Sequence, residues 1–293
     1  MERILKNSMR EVWRRPAADV RFSPDIEVRK YSETNPNRFH MEGSFSPSSS
    51  IYWGRCSGQS FVIGAPLVSP FWKLIRGYEK SLSQKELEDL ILLYARQSFC
   101  NIQDFTTEAA ERYRSLEELF VQALPRDFRE LSYLIGDPLV ERAFYDVGIS
   151  RTNIDCNFGY FSTYFSQRKQ IMHGCFRFRN LWFDNRGKLF IVGGDDLVWG
   201  TELVAHAALL ADLFDLSVSR VNCVRRPLSS LYLHVTSSLS TRQEDVLNRV
   251  IYLYVLAHHA QYIHTAQYKG KLSSLKYAMK IPCQGLLEAA NLD

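Results

Sequence analysis

The chain is 293 residues long, 46% hydrophobic and 13% aromatic, with a formal net charge of +4. It can bury one large core or two smaller ones, and two lobes is the natural expectation. No apolar run approaches a membrane span, and the opening MERILKNSMREVWRRP is charged throughout, without the apolar core of a signal peptide.

Basic residues are spread along the chain and form no arginine-rich or aromatic-interleaved stripe, which speaks against a nucleic-acid binder. Cys56, Cys100, Cys156, Cys175, Cys223 and Cys283 are scattered without a C-x-x-C pair. That is the usage of a reduced, cytoplasmic protein rather than of a disulfide framework or zinc site. In Met1–Arg15, Ile4, Leu5, Met9 and Val12 fall at helical spacing, predicting a basic amphipathic helix ended by Pro16. Such an arm over residues 1–19 either packs on its own domain or docks in a partner's groove. Val20–Asn37 reads as loop, punctuated by Pro24 and Pro36. Ile51-Tyr52-Trp53 and Phe61-Val62-Ile63 flank Ser57-Gly58 and predict a β-hairpin.

After Pro70 the pattern turns helical. Ser83 with Glu86 forms a capping box ahead of Leu87, Leu90, Ile91 and Tyr94. Thr107–Leu124 repeats the pattern up to Pro125, Asp137-Pro138 opens a segment reaching Val147, and an aromatic-rich one spans Phe158–Phe165. Two strands, Leu181–Phe183 and Lys188–Val192, are joined by the turn Asp184-Asn185-Arg186-Gly187. Helices follow at Thr201–Asp215 and Arg226–Ser238, and a long one capped by Thr241 and Glu244 carries Val246, Leu247, Val250, Ile251, Tyr254 and Ala257 on one face. His258, His259 and His264 are not spaced i,i+4, so they read as satisfied or surface histidines and not as metal ligands.

The stretch Met172–Phe214 contains His173-Gly174, Asn180 six residues after the glycine, the hairpin, and then Gly193-Gly194-Asp195-Asp196-Leu197-Val198-Trp199-Gly200. It resembles the catalytic and metal-binding segment of the aminoglycoside phosphotransferase and choline kinase family. There H-G-D-x-x-x-x-N leads into a hairpin, followed by Ile-Asp-Trp/Phe-Asp-Asp-Ala-x-x-Gly. His173, Gly174, Asn180, Asp195, Asp196, Trp199 and Gly200 match. The family's catalytic-loop Asp falls on Cys175 and its principal metal-binding Asp on Gly193. More loosely, Gly43-Ser44-Phe45-Ser46 resembles the phosphate-covering loop, which would put the nucleotide-pairing lysine at Gly64.

The resemblance implies an α+β, two-lobed protein-kinase-like fold. Residues 20–80 form a small β-containing lobe, shortened if Pro66–Pro125 holds no further strand. Residues 81–293 form a large, mostly helical lobe that includes the catalytic-loop-like hairpin 172–200. In such a fold one carboxylate orients the attacking hydroxyl and another holds Mg²⁺, and neither a thiol nor glycine replaces them. His173, Cys175 and Asn180 are then degenerate catalytic positions, with His173 bonding backbone near its loop. Gly43, Ser44 and Gly64 make a weak nucleotide site. Asn180, Asp195 and Asp196 are the metal candidates if a metal is bound, although the two aspartates equally suit a helix cap.

The leading expectation is a pseudokinase that binds or regulates a protein or peptide partner, with no cofactor. The alternative is an active phosphotransferase using ATP and Mg²⁺ on a small-molecule or peptide hydroxyl through a rearranged metal site. An unrelated helical protein with a chance hairpin is the third.

Overall fold

The structure is a computed structural model that describes residues 2–6, 10–14, 26–30, 51–52, 55–57, 60–63, 67–70, 82–96, 122–165, 170–174, 176–184, 189–192, 197–218, 222–265 and 273–290. Contacts divide the chain into two units. Met1–Leu74 and Phe178–Asp195 make an N-terminal unit, and Ile75–Arg177 and Asp196–Asp293 make a second, mostly helical one. The chain is thus α+β, with strands concentrated in the first unit and helices in the second.

The N-terminal unit contains β1 (Glu2–Lys6), β2 (Arg10–Arg14), β3 (Ile26–Lys30), β4 (Ile51–Tyr52), β5 (Arg55–Ser57), β6 (Ser60–Ile63) and β7 (Leu67–Pro70). An antiparallel sheet runs in the order β1-β2-β3-β6-β5. The N-terminal helix expected over Met1–Arg15 is therefore corrected to two strands, and the loop expected over Val20–Asn37 contains a third. The register supplies the reason. Glu2 stands opposite Arg14, Lys6 opposite Glu11, and Glu11 opposite Arg29. These pairings set opposite charges on neighbouring strands, though Arg10 stands opposite Lys30, and Val12, which the apolar spacing placed on a helical face, favours a sheet together with Trp13.

The hairpin expected around Ser57-Gly58 turns where the sequence placed it, with Ser57 opposite Ser60. Its first arm is Arg55–Ser57, because Ile51-Tyr52 leaves for another sheet. That sheet has the order β4-β10-β9-β7 and includes β9 (Leu181–Asp184) and β10 (Leu189–Val192). β9 and β10 pair antiparallel as expected, with Phe190 opposite Trp182, while β4 joins β10 in parallel. The hairpin expected in the large lobe thus belongs to the N-terminal unit. After Pro66 the unit adds a strand, β7, that the sequence pattern did not reveal. Deleting Met1–Arg15 removes two of the five strands and leaves β3 as an open edge. The expected result is a markedly less stable, aggregation-prone N-terminal unit, checked by urea unfolding and light scattering; an unchanged melt would contradict the sheet.

The helical unit opens with α1 (residues 84–96). Its expected capping box is present: the Glu86 carboxylate accepts from the Ser83 N–H at 2.8 Å and hydroxyl at 2.6 Å, and Leu87 and Ile91 are buried. Of the expected helix Thr107–Leu124 only 122–124 are described, and they are not helical. Then come α2 (Arg126–Leu134), α3 (Pro138–Tyr145), α4 (Arg151–Phe165), β8 (Gln170–His173), β11 (Leu197–Gly200), α5 (Glu202–Val218), α6 (Arg225–Thr236), α7 (Thr241–His264), α8 (Ser273–Ala278), α9 (Ile281–Gln284) and α10 (Leu286–Ala289).

The Asp137 side chain caps α3 through the N–H groups of Leu139 and Val140, as its place before Pro138 predicts. Helix α7 is the axis of the unit and packs against α2, α3, α4, α5, α8 and α9. Its buried positions include the expected Val246, Leu247, Val250, Ile251, Tyr254 and Ala257. The capping box lies one residue before the expected one, between Ser240 and Gln243. Glu244 instead accepts from the Tyr232 hydroxyl at 2.9 Å, which ties α6 to α7. Between α2, α4 and α7 the Phe128 ring meets Phe161 at 5.2 Å and Tyr254 at 4.6 Å, an aromatic core under the motif described next.

Candidate functional site

Strand β8 delivers the motif His173-Gly174 and pairs antiparallel with β11, His173 standing opposite Leu197. β11 is tied in turn to the start of the α2 region, where the Trp199 N–H donates to the Gln122 carbonyl at 3.0 Å. It ends at Gly200, where a side chain would put a Cβ 2.9 Å from Val204 Cγ2 on α5. Gly200 is therefore needed for the close approach of strand and helix, and Val204, branched and buried, has little room to yield. Gly200→Ala is expected to cost about 1–3 kcal/mol, measurable as a lowered urea midpoint with unchanged slope; an unaltered midpoint would contradict the packing.

His173 is buried, with its ring edge-on to Phe176 at 6.4 Å between centroids. The next residue is held from beneath, where the Tyr254 hydroxyl of α7 donates to the Gly174 carbonyl at 2.5 Å. Three residues on, the Arg177 side chain turns into the core and is 2% exposed. Its Nη1 donates to Asp127 of α2 at 3.1 Å, its Nε to Asp212 of α5 at 2.7 Å, and its Nη2 to the same Asp212 oxygen. Asp127 is fully buried and the Asp212 side chain is 12% exposed, so the guanidinium and its two carboxylate partners are largely withdrawn from water. The His173–Arg177 segment is thereby fastened to α2, α5 and α7.

Helix α5 continues the charge pattern. Asp215 lies one turn beyond Asp212, and its two oxygens meet His258 Nδ1 at 2.5 Å and His259 Nε2 at 3.2 Å on α7. His259 Nε2 also lies 3.2 Å from the Ser274 hydroxyl of α8. Burial alone would raise the Asp215 carboxyl, but His259 and His258 beside it hold it well below the usual carboxylate range. Burial lowers the His258 imidazole, and Arg177 lowers it further, against the opposing pull of Asp215 and Asp212. His264 meets the cap residue Asp137 at 2.7 Å. The three histidines are thus satisfied by carboxylates, as expected, although the i,i+4 criterion overlooked that neighbours about 100° apart on a helix can converge on a group lying between them.

Asn180 is buried in a 3-10 turn, Phe178–Asn180, and belongs to the N-terminal unit, whereas His173 belongs to the helical one. The expectations for Gly43, Ser44, Gly64, Cys175, Gly193, Asp195 and Asp196 fall outside the described residues. Among the described residues, no three His, Cys, Asp or Glu side chains are grouped to hold a metal ion, and no helix is long and apolar enough to cross a membrane. The sequence reading missed Asp127, Arg177, Asp212 and Asp215. A signal was there: two aspartates at i,i+3 in the run Leu203–Leu216, apolar apart from them and His206, demand buried partners. No protein-family model matches the chain, and no curated protein matches it significantly.

Proposed function

We propose that this chain is a catalytically impaired phosphotransferase-fold protein, a pseudokinase of aminoglycoside phosphotransferase type, that serves as a binding or regulatory subunit for a protein or peptide partner in the cytoplasm. The reading rests on the resemblance around His173 together with one observation. The charged side chain described in the motif, Arg177, is spent on Asp127 and Asp212 inside the helical unit, and the Gly174 carbonyl on Tyr254. The segment is thus fastened to the helical core, while Cys175 stands where the resembled family has its carboxylate and Gly193 where it has its metal ligand. Phosphoryl transfer relies on positioning and charge neutralisation, and loss of the base and the metal ligand together removes both. No cofactor is needed for such a role.

One observation favours the alternative, an enzyme that uses ATP and Mg²⁺. In protein kinases the phosphate-pairing lysine lies on the third strand. Here the third strand of the antiparallel sheet is β3, Ile-Glu-Val-Arg-Lys, ending at Lys30, whereas Gly64 follows its neighbour β6. Lys30 could then supply the cation that the Gly64 correspondence removes.

Affinity capture with the full chain from its native cell extract tests the partner reading. A stoichiometric protein retained at pH 7 without added nucleotide is expected. Retention only in the presence of Mg·ATP, or of none, would overturn it.

A further inference from the structure

Met279 stands in the turn between α8 and α9, where its N–H donates to the Leu275 carbonyl at 3.2 Å. Leu275, Ala278 and Ile281 around it are fully buried, so the turn itself is anchored in the helical unit. The Met279 side chain reaches the connection between α3 and α4. There Gly148 has a φ of +85°, a left-handed conformation that closes α3. Its N–H donates to the Tyr145 carbonyl and the Ile149 N–H to the Phe144 carbonyl, each at 2.9 Å. A Cβ on Gly148 would stand 3.2 Å from the Met279 methyl carbon and 3.7 Å from its sulfur. The thioether therefore lies over the bare glycine backbone and fills space beside it, between the buried neighbours Val147 and Ile149 in the sequence.

Met279 is 37% exposed, whereas Met172 of β8 is fully buried, so an oxidant in solution reaches the first and is kept from the second. With a peroxide, the sulfur lone pair takes up one peroxide oxygen, the O–O bond breaks, an S–O bond forms and the rest of the oxidant leaves as water or alcohol. The sulfur loses two electrons and the peroxide gains them. The product is a polar sulfoxide, whose oxygen calls for water or a hydrogen-bond donor where the thioether made an apolar contact.

We propose that Met279 is an oxidation-sensitive clip between the α8–α9 turn and the α3–α4 turn, and the chain's site of reversible modification by peroxides. Reduced, it covers Gly148 and holds the end of α3 closed; as the sulfoxide it withdraws toward solvent and frees that turn. Helices α3, α4, α8 and α9 all pack on α7, so the core stays in place while the two turns part. Neither residue belongs to the His173 segment, and the clip does not depend on the pseudokinase reading.

Peptide mapping of the full chain after hydrogen peroxide treatment, combined with amide hydrogen exchange over residues 144–150 at constant pH, tests it. Met279 is expected to gain one oxygen while Met172 does not. Exchange at Gly148 and Ile149 should then rise by about fourfold, the equivalent of one methyl group returned to water. Cys156 and Cys283 are exposed and react as well. A thiol reductant alone, which restores reversibly oxidised thiols, should therefore leave exchange high, and adding methionine sulfoxide reductases should bring it back. In Met279→Leu, close in volume and without sulfur, exchange should not respond to peroxide. An equal rise in that variant would overturn the clip. So would unchanged exchange in wild type once Met279 carries its oxygen, or a Met279 that stays reduced while free methionine in the same solution is oxidised, whether or not the variant folds.

Discussion

Replacing Arg177 with Met is expected to lower the unfolding free energy of the full chain by about 3–5 kcal/mol. The guanidinium and its partners Asp127 and Asp212 are almost fully withdrawn from water. With the cation gone, two carboxylates remain in the core without their compensating charge, and that desolvation penalty, more than the lost attraction, sets the size of the effect. Against a total stability of roughly 5–15 kcal/mol for a domain, the loss is large. Arg151, whose contact with Asp155 is 3.9 Å long and mostly exposed, is the control, and Arg151→Met should leave the urea midpoint where it was. Equal midpoints for the two variants would show that the buried cluster is not a fastening.

Acidification should produce the next largest effect. Burial pushes the His206 imidazole of α5 down to about 4, with the charge of His234 adding to the shift. A histidine whose folded value is depressed contributes stability that is complete above its unfolded value near 6.5 and is lost as the pH falls toward the folded value. Between pH 7 and pH 4 the unfolding free energy should therefore fall by about 3 kcal/mol through His206. His258, also lowered, adds to the loss in the same direction. Asp215, lowered from its ordinary carboxylate value, contributes only below that range. His206→Gln should flatten the limb between pH 7 and pH 4 in denaturant titrations. An equally steep limb in the variant would mean that the ring is already protonated in the fold.

How far the sequence carried the fold depended on how local each signal was. The hairpin Leu181–Val192 was legible because two short apolar runs flank a four-residue turn, and α7 was legible because its apolar spacing persists over many turns. The Ser83–Glu86 and Asp137 caps were legible for the same reason, since donor and acceptor lie within three residues. Pairings between distant segments were not. Nothing in Ile51-Tyr52 says that it leaves its neighbour Arg55–Ser57 to run parallel with β10, and the apolar spacing within Met1–Arg15 is told from a helical face only by the pairing of β1 with β2 and of β2 with β3.

The site divides along the same line. The segment around His173 was found by its pattern, but what holds it comes from residues 35 and 50 positions away in the chain. Asp212 and Asp215 announced a need for partners without saying which, and the partners lie on the segment after β8 and on α7.

The central claim is that the phosphotransferase-like segment is kept for binding and not for transfer. Calorimetric titration of the full chain with millimolar ATP, with and without Mg²⁺, tests it most directly, with Lys30→Met alongside. The account predicts no saturable heat in either condition and no difference between wild type and variant. Micromolar, magnesium-dependent binding that Lys30→Met abolishes would contradict it and establish the nucleotide-using alternative.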